Sequence, residues 1–144
     1  MTTTPETVAL AGLWVRTAED DLLTARKMLT LGKRSPCQIV AFHSQLCAEK
    51  YLKALLTIRS VVFPGTHDLL ELLRLIPRKD RFSANKTDIA FLGRFAVEAR
   101  YPWDDEPVTR TGARRALRIA LGIRKGVRRI LPRKALRLPA NEEG

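Results

Sequence analysis

Apolar residues recur at three- and four-residue spacing along almost the whole chain, and no stretch alternates strictly as a half-buried strand does. The pattern predicts an all-α fold. A first helix is expected over about 7–31, with Leu10, Leu13, Trp14, Ala18, Leu22, Ala25 and Leu29 on one stripe and Gly32 as its stop. Ser35 followed by Pro36 reads as an N-cap with proline at the first helical position, opening a second helix to about Ile58 whose stripe includes Ile39, Phe42, Leu46 and Leu56. Phe63-Pro64-Gly65 interrupts the period. Thr66 or Asp68 then caps a short third helix through Ile76, which Pro77 ends. After a polar connector, a fourth helix over about 84–99 carries Ile89, Leu92, Phe95 and Ala96 inward, and a loop between Pro102 and Pro107 leads to a fifth helix from about Thr109 to Leu131. The expectation is an up-and-down bundle of four long helices plus one short helix over residues 1–131. Residues 132–144 hold too little apolar surface to pack and read as a basic, disordered tail.

The fifth helix is the most polarised. Ala113, Ala116, Leu117, Ala120, Ile123, Val127 and Leu131 share one side, while Arg110, Arg114, Arg118, Lys125, Arg128 and Arg129 fall roughly opposite. Gly112, Gly122 and Gly126 lie near one edge of this wheel, which fits either a close helix approach or simply a weak helix.

Length and charge narrow the picture. A chain of 144 residues, 45% apolar, supports one domain with one modest core, and no apolar run reaches the ~18 residues of a membrane span. The opening Met1-Thr2-Thr3-Thr4-Pro5 has no basic patch or apolar stretch, so a cytoplasmic protein is expected. The net charge is +11, and it is lopsided: residues 107–144 hold 11 basic and 2 acidic groups, residues 1–106 hold 15 and 13. The rear quarter suits an anionic partner, or serves only to solubilise the last helix. Cys37 and Cys47 lie ten positions apart in one helix, roughly 15 Å, and are read as free thiols. His43 and Cys47 are four apart, but with His67 as the only other histidine no zinc ligand set is expected, nor any other metal or cofactor. His67, before Asp68, is expected to fix a turn.

Four blocks carry a more specific signal. Phe42-His43-Ser44-Gln45-Leu46-Cys47-Ala48-Glu49-Lys50-Tyr51-Leu52-Lys53-Ala54-Leu55-Leu56 resembles the second-helix signature of HEPN domains. Ala18-Glu19-Asp20-Asp21-Leu22, Phe63-Pro64-Gly65-Thr66-His67-Asp68-Leu69 and Glu98-Ala99-Arg100-Tyr101-Pro102 are similar to three further blocks of that family, in the family's order. The resemblance, over roughly residues 8–131, implies a helical bundle, commonly a homodimer, often encoded beside a small nucleotidyltransferase in a two-component, toxin–antitoxin-like pair. It also implies either metal-independent ribonuclease activity or binding of nucleotide or RNA without cleavage.

The resemblance implies that ribonucleases of the family carry an Arg followed, after roughly four to six residues, by His at the start of the last long helix. Arg100 stands at the Arg position, yet no His follows it. Arg stays protonated and serves to hold phosphate, whereas general acid–base work suits a group that titrates near neutrality. No catalytic residue is therefore assigned. The reading is a nucleotide- or RNA-binding partner of a nucleotidyltransferase, through Arg100, Tyr101, Lys50 and Lys53 with the basic face of the fifth helix. A ribonuclease toxin with a non-standard site and a purely structural dimer partner remain the alternatives. Arg100 is alternatively an ion-pair partner of nearby acids. Glu49 and Lys53 have the spacing of a simple helix ion pair, and Asp20 and Asp21, as adjacent acids, are expected on an exposed face.

Overall fold

A computed structural model describes residues 3–96 and 106–137. They form an all-helical bundle, with α1 (Pro5–Leu29), α2 (Cys37–Ile58), α3 (Leu69–Leu75), α4 (Lys86–Gly93), α5 (Arg110–Arg128) and α6 (Arg133–Leu136). Single 3-10 turns stand at Gly32–Arg34 and Arg78–Asp80. Three helices are long; α4 ends at Gly93, short of the expected 99, and residues 97–99 lie outside the described residues.

Local chemistry sets the boundaries. α1 starts two residues earlier than the apolar period suggests because Thr4 caps the Thr7 amide and Pro5 takes the first helical position. Its end is closed by Gly32, whose φ of 62° is the left-handed conformation glycine adopts without cost. Ser35 does not cap α2. Its hydroxyl donates back to the Leu29 carbonyl at 3.2 Å, so Pro36 is the residue that opens α2. Of the two expected caps, Asp68 and not Thr66 caps α3, accepting from the Leu70 and Glu71 amides.

α2 is the central strut, packed by α1, α3, α4 and α5. Its buried positions encircle it, from Val40, Ala41 and Ser44 to Leu52, Leu55 and Leu56. Small side chains at Ala41, Ala48, Ala113, Ala116 and Ala120 are fully buried and let α1, α2 and α5 approach closely. The buried stripe of α1 runs through Ala11, Val15, Ala18, Leu22 and Ala25, so Leu10 and Leu13, expected inside, are 54% exposed. The stripe turns because the alanines, not the leucines, face α2. Ile39, also expected inside, is 41% exposed, while the neighbouring Val40 and Ala41 are buried. On α5 the expected inner residues are buried, except that Leu117 is half-buried.

The packed body extends beyond residue 131. Pro132 starts the single turn of α6, which lies on α1 and buries Ala135, its backbone carbonyl 3.5 Å from where a Cβ on Gly12 would stand. Residues 132–137, expected as part of the disordered tail, thus belong to the folded unit through the buried Ala135 and the partly buried Leu136, a small apolar contact that composition alone hides.

The three glycines of α5 have separate roles. A Cβ on Gly126 would stand 2.7 Å from the Phe82 ring, which packs against the helix there. Gly112 meets Val108 and Thr109 at ordinary contact distance, and Gly122 faces open space.

Candidate phosphate-binding surface

Polar chemistry is arranged in two ways, as closed clusters around α2 and as an open row on α5. In the first cluster Asp21 of α1, buried, accepts from His43 Nδ1 at 2.7 Å and from Lys50 Nζ at 2.7 Å, one carboxylate oxygen to each. The second repeats the scheme: Glu49, buried, accepts from His67 Nδ1 at 2.9 Å and from Lys53 Nζ at 3.2 Å. Gln45 ties the second cluster to the turn before α3 by donating to the His67 carbonyl at 3.2 Å and to Glu49 at 3.3 Å. Lys53 is enclosed further by the rings of Trp14 and Phe63, at 5.5 and 6.0 Å.

Asp21 therefore departs from the expected exposed acidic face: only Asp20 is exposed, and α1 turns Asp21 onto α2. His67 does fix the turn, but through the Glu49 carboxylate as well as its own backbone. Lys50 and Lys53, expected on a ligand groove, are both committed to carboxylates, and Lys53 is buried.

A third cluster joins α1 to α5. Arg124 donates two bonds to Glu19, at 3.0 and 2.7 Å, and Arg128 donates to the Tyr51 hydroxyl at 3.1 Å. Burial works to raise the Glu19 carboxyl, but Arg124, with help from Tyr51 and Arg128, outweighs it and holds the group below the usual carboxylate range. Burial pushes the Tyr51 phenol up to about 12 and the Cys47 thiol to about 12, so both stay protonated and inert near neutrality. Arg128, expected on the outer face, is half-buried and belongs to this cluster; Arg115 likewise turns aside to Asp88 at 3.1 Å and stacks over Phe91 at 4.1 Å. Nothing in the local sequence signals these bonds, because Glu19 and Arg124 stand 105 residues apart.

The open row stands apart from these clusters. Arg114, Arg118, Lys125 and Arg129 are exposed on one side of α5 and make no ion pair among the described residues. At 1.5 Å per residue they span roughly 22 Å. Arg110, half-buried at the start of the helix, has no hydrogen-bond partner for Nε among the described residues. Beside it a cavity of about 190 Å³ opens between the ends of α2, α4 and α5, lined by Gln38, Phe91, Arg94, Phe95, Thr109 and Gly112 among others. Gln38 Nε2 is also without a partner among the described residues. Arg100 and Tyr101 lie outside the described residues.

The arrangement can hold anions and neutralise phosphate; its histidines are tied by Nδ1 to carboxylates on other elements. Among the described residues no group of three or more His, Cys, Asp or Glu comes together to hold a metal ion, and no helix is long and apolar enough to cross a membrane.

The family model of the HEPN domain matches residues 11–130. The chain belongs to the HEPN family. Two solved structures agree with the fold. TT1696 from Thermus thermophilus superposes with a TM-score of 0.71 at 28% identity, over 83% of this chain and 96% of that one. ST0689, an archaeal HEPN homologue, superposes with a TM-score of 0.64 at 26% identity, over 85% of this chain and 98% of that one. No curated protein matches the chain. The residues of this HEPN domain matched by the family model contain α2, α3, α4 and α5 complete, and so take in both the closed clusters and the cationic row.

Proposed function

We propose that this HEPN domain holds a phosphate-bearing ligand, RNA or a nucleotide, on the outer face of α5, and acts without an evident catalytic His. In this reading it is a cytoplasmic homodimer and the partner subunit of a small nucleotidyltransferase in a toxin–antitoxin-like pair. The observation that carries the reading is the row Arg114, Arg118, Lys125 and Arg129, four exposed cations with no acidic partner among the described residues. Like charges four apart on a helix repel, so an uncompensated row is at its most favourable when an anion lies along it. Arg110, one turn before Arg114 on the same helix, extends the row; by the family resemblance Arg100 supplies a further guanidinium for phosphate and Tyr101 a ring suited to stacking a base.

The test is fluorescence anisotropy of a dye-labelled single-stranded RNA. Wild type is expected to bind with a log–log salt slope of about −3, as four phosphate contacts require. Arg114→Glu/Arg118→Glu is expected to lower affinity at least about tenfold and flatten the slope by about half, and Arg100→Ala to weaken binding as well. Unchanged affinity in the double variant removes the reading. Degradation of the RNA in the same cuvette by wild type, but not by Arg100→Ala, replaces it with the ribonuclease.

A further inference from the structure

A second surface, away from the α5 row, has a different composition. α3, the connector after Ile76 and the start of α4 enclose a groove of about 280 Å³. Its walls are aliphatic, from Leu70, Leu73, Ile76 and Ile89, with the Phe82 ring at one side. Three exposed cations stand on its rim, one from each element: Arg74, Arg81 and Lys86. None makes an ion pair among the described residues. The neighbouring acids are already engaged, Asp80 by two bonds from Arg59 at 2.6 and 3.0 Å and Asp88 by Arg115. Glu71, in the first turn of α3, does not line the groove.

We infer that this groove docks an acidic segment of a partner protein, with an aliphatic side chain of that segment seated between Leu73 and Ile89 and its carboxylates on Arg74, Arg81 and Lys86. Charge complementarity selects the sign of the partner, because the rim offers three cations and no free carboxylate. The lining selects its class. Single-stranded nucleic acid binds on aromatic platforms, whereas this groove offers leucine and isoleucine, and its one ring already lies against Gly126. A helix or strand with apolar anchors among acids meets both conditions. The proposal is independent of the phosphate-binding reading and uses none of its residues.

The test uses the full chain and a short dye-labelled peptide of alternating glutamate and leucine. A lysine–leucine peptide of equal length serves as the control for sign. The acidic peptide is expected to bind and the basic one not. Arg74→Glu/Lys86→Glu, both at exposed positions, is expected to weaken binding at least about tenfold with the helical circular dichroism retained. Leu73→Asp should do the same, and the rim pair decides alone if that variant unfolds. Lys27→Glu/Lys33→Glu matches the change in net charge on α1 and the turn after it, and is expected to retain wild-type affinity. Equal loss in both charge-reversed pairs would reduce the effect to net charge and overturn the proposal, as would absence of binding. Displacement of the peptide from the groove by single-stranded RNA or by phosphatidylserine vesicles would assign the groove to those ligands instead.

Discussion

Lys53 and Lys125 carry the same ammonium group in opposite circumstances. Lys53 is held by Glu49 between Trp14 and Phe63, while Lys125 projects from α5 with no acidic partner among the described residues. The contrast extends to whole regions. Around α2 every cation named in a cluster is matched by a carboxylate that also binds a second donor; on the outer face of α5 four cations stand together unmatched. The number of positive residues thus says little about where an anion can bind. What decides is whether the fold has already supplied a carboxylate, and the outer row is a place where it has not.

The largest effect that would break this comparison is at Glu49. Glu49→Ala leaves Lys53 buried with no counter-charge and Gln45 and His67 without their shared acceptor, so urea unfolding should show a loss of about 3–5 kcal/mol. A loss under about 1 kcal/mol would mean that the inner clusters are no more committed than the outer row. The Glu19 cluster is more exposed to solvent, and Glu19→Gln should cost about 1 kcal/mol at neutral pH. Because Arg124 holds the folded-state pKa of Glu19 below its unfolded value, the stabilisation is present above about pH 4.3 and is lost as pH falls through the lower folded value. Unfolding measured between pH 5 and 3 should therefore show a shallower acid decline in Glu19→Gln than in wild type. The smallest effect has the opposite sign. Replacing Arg114, Arg118, Lys125 and Arg129 together with Gln removes three like-charge pairs four residues apart, Arg110/Arg114, Arg114/Arg118 and Lys125/Arg129, and should leave stability unchanged or raise it by about 0.5–1 kcal/mol at low salt. Destabilisation on thermal melting would show that the row is part of the scaffold.

The parts legible in the sequence are those written in one helix. The 3.6-residue period locates α1, α2, α3 and α5, Thr66 or Asp68 marks the start of α3, and the alanine-rich side of α5 is the side that packs. The Glu49–Lys53 pair was readable from its spacing, although its burial was not. The unread parts depend on partners distant in the chain. Whether Asp21 or Asp20 faces inward is decided by His43 and Lys50 on α2, and whether Arg128 or Arg129 faces outward is decided by Tyr51 and Glu19. Leu10 and Leu13 misled for a related reason: a stripe of leucines outweighs a stripe of alanines in hydrophobicity, but the close approach of α1 to α2 requires the smaller side chains. α6 was hidden because one buried alanine leaves no periodic trace.

The contact between Phe82 and Gly126 has a consequence for water. Glycine within a helix exposes its peptide groups to solvent, which is part of its cost of about 1 kcal/mol relative to alanine. Here a ring from the connector lies where the missing side chain would be, so the hydrogen-bonded backbone near the end of α5 is roofed by a residue 44 positions earlier in the chain. Amide protons under that roof exchange only when the connector lifts, and the slowest exchange at this end of α5 then reports the opening of a neighbouring segment and not the fraying of the helix itself.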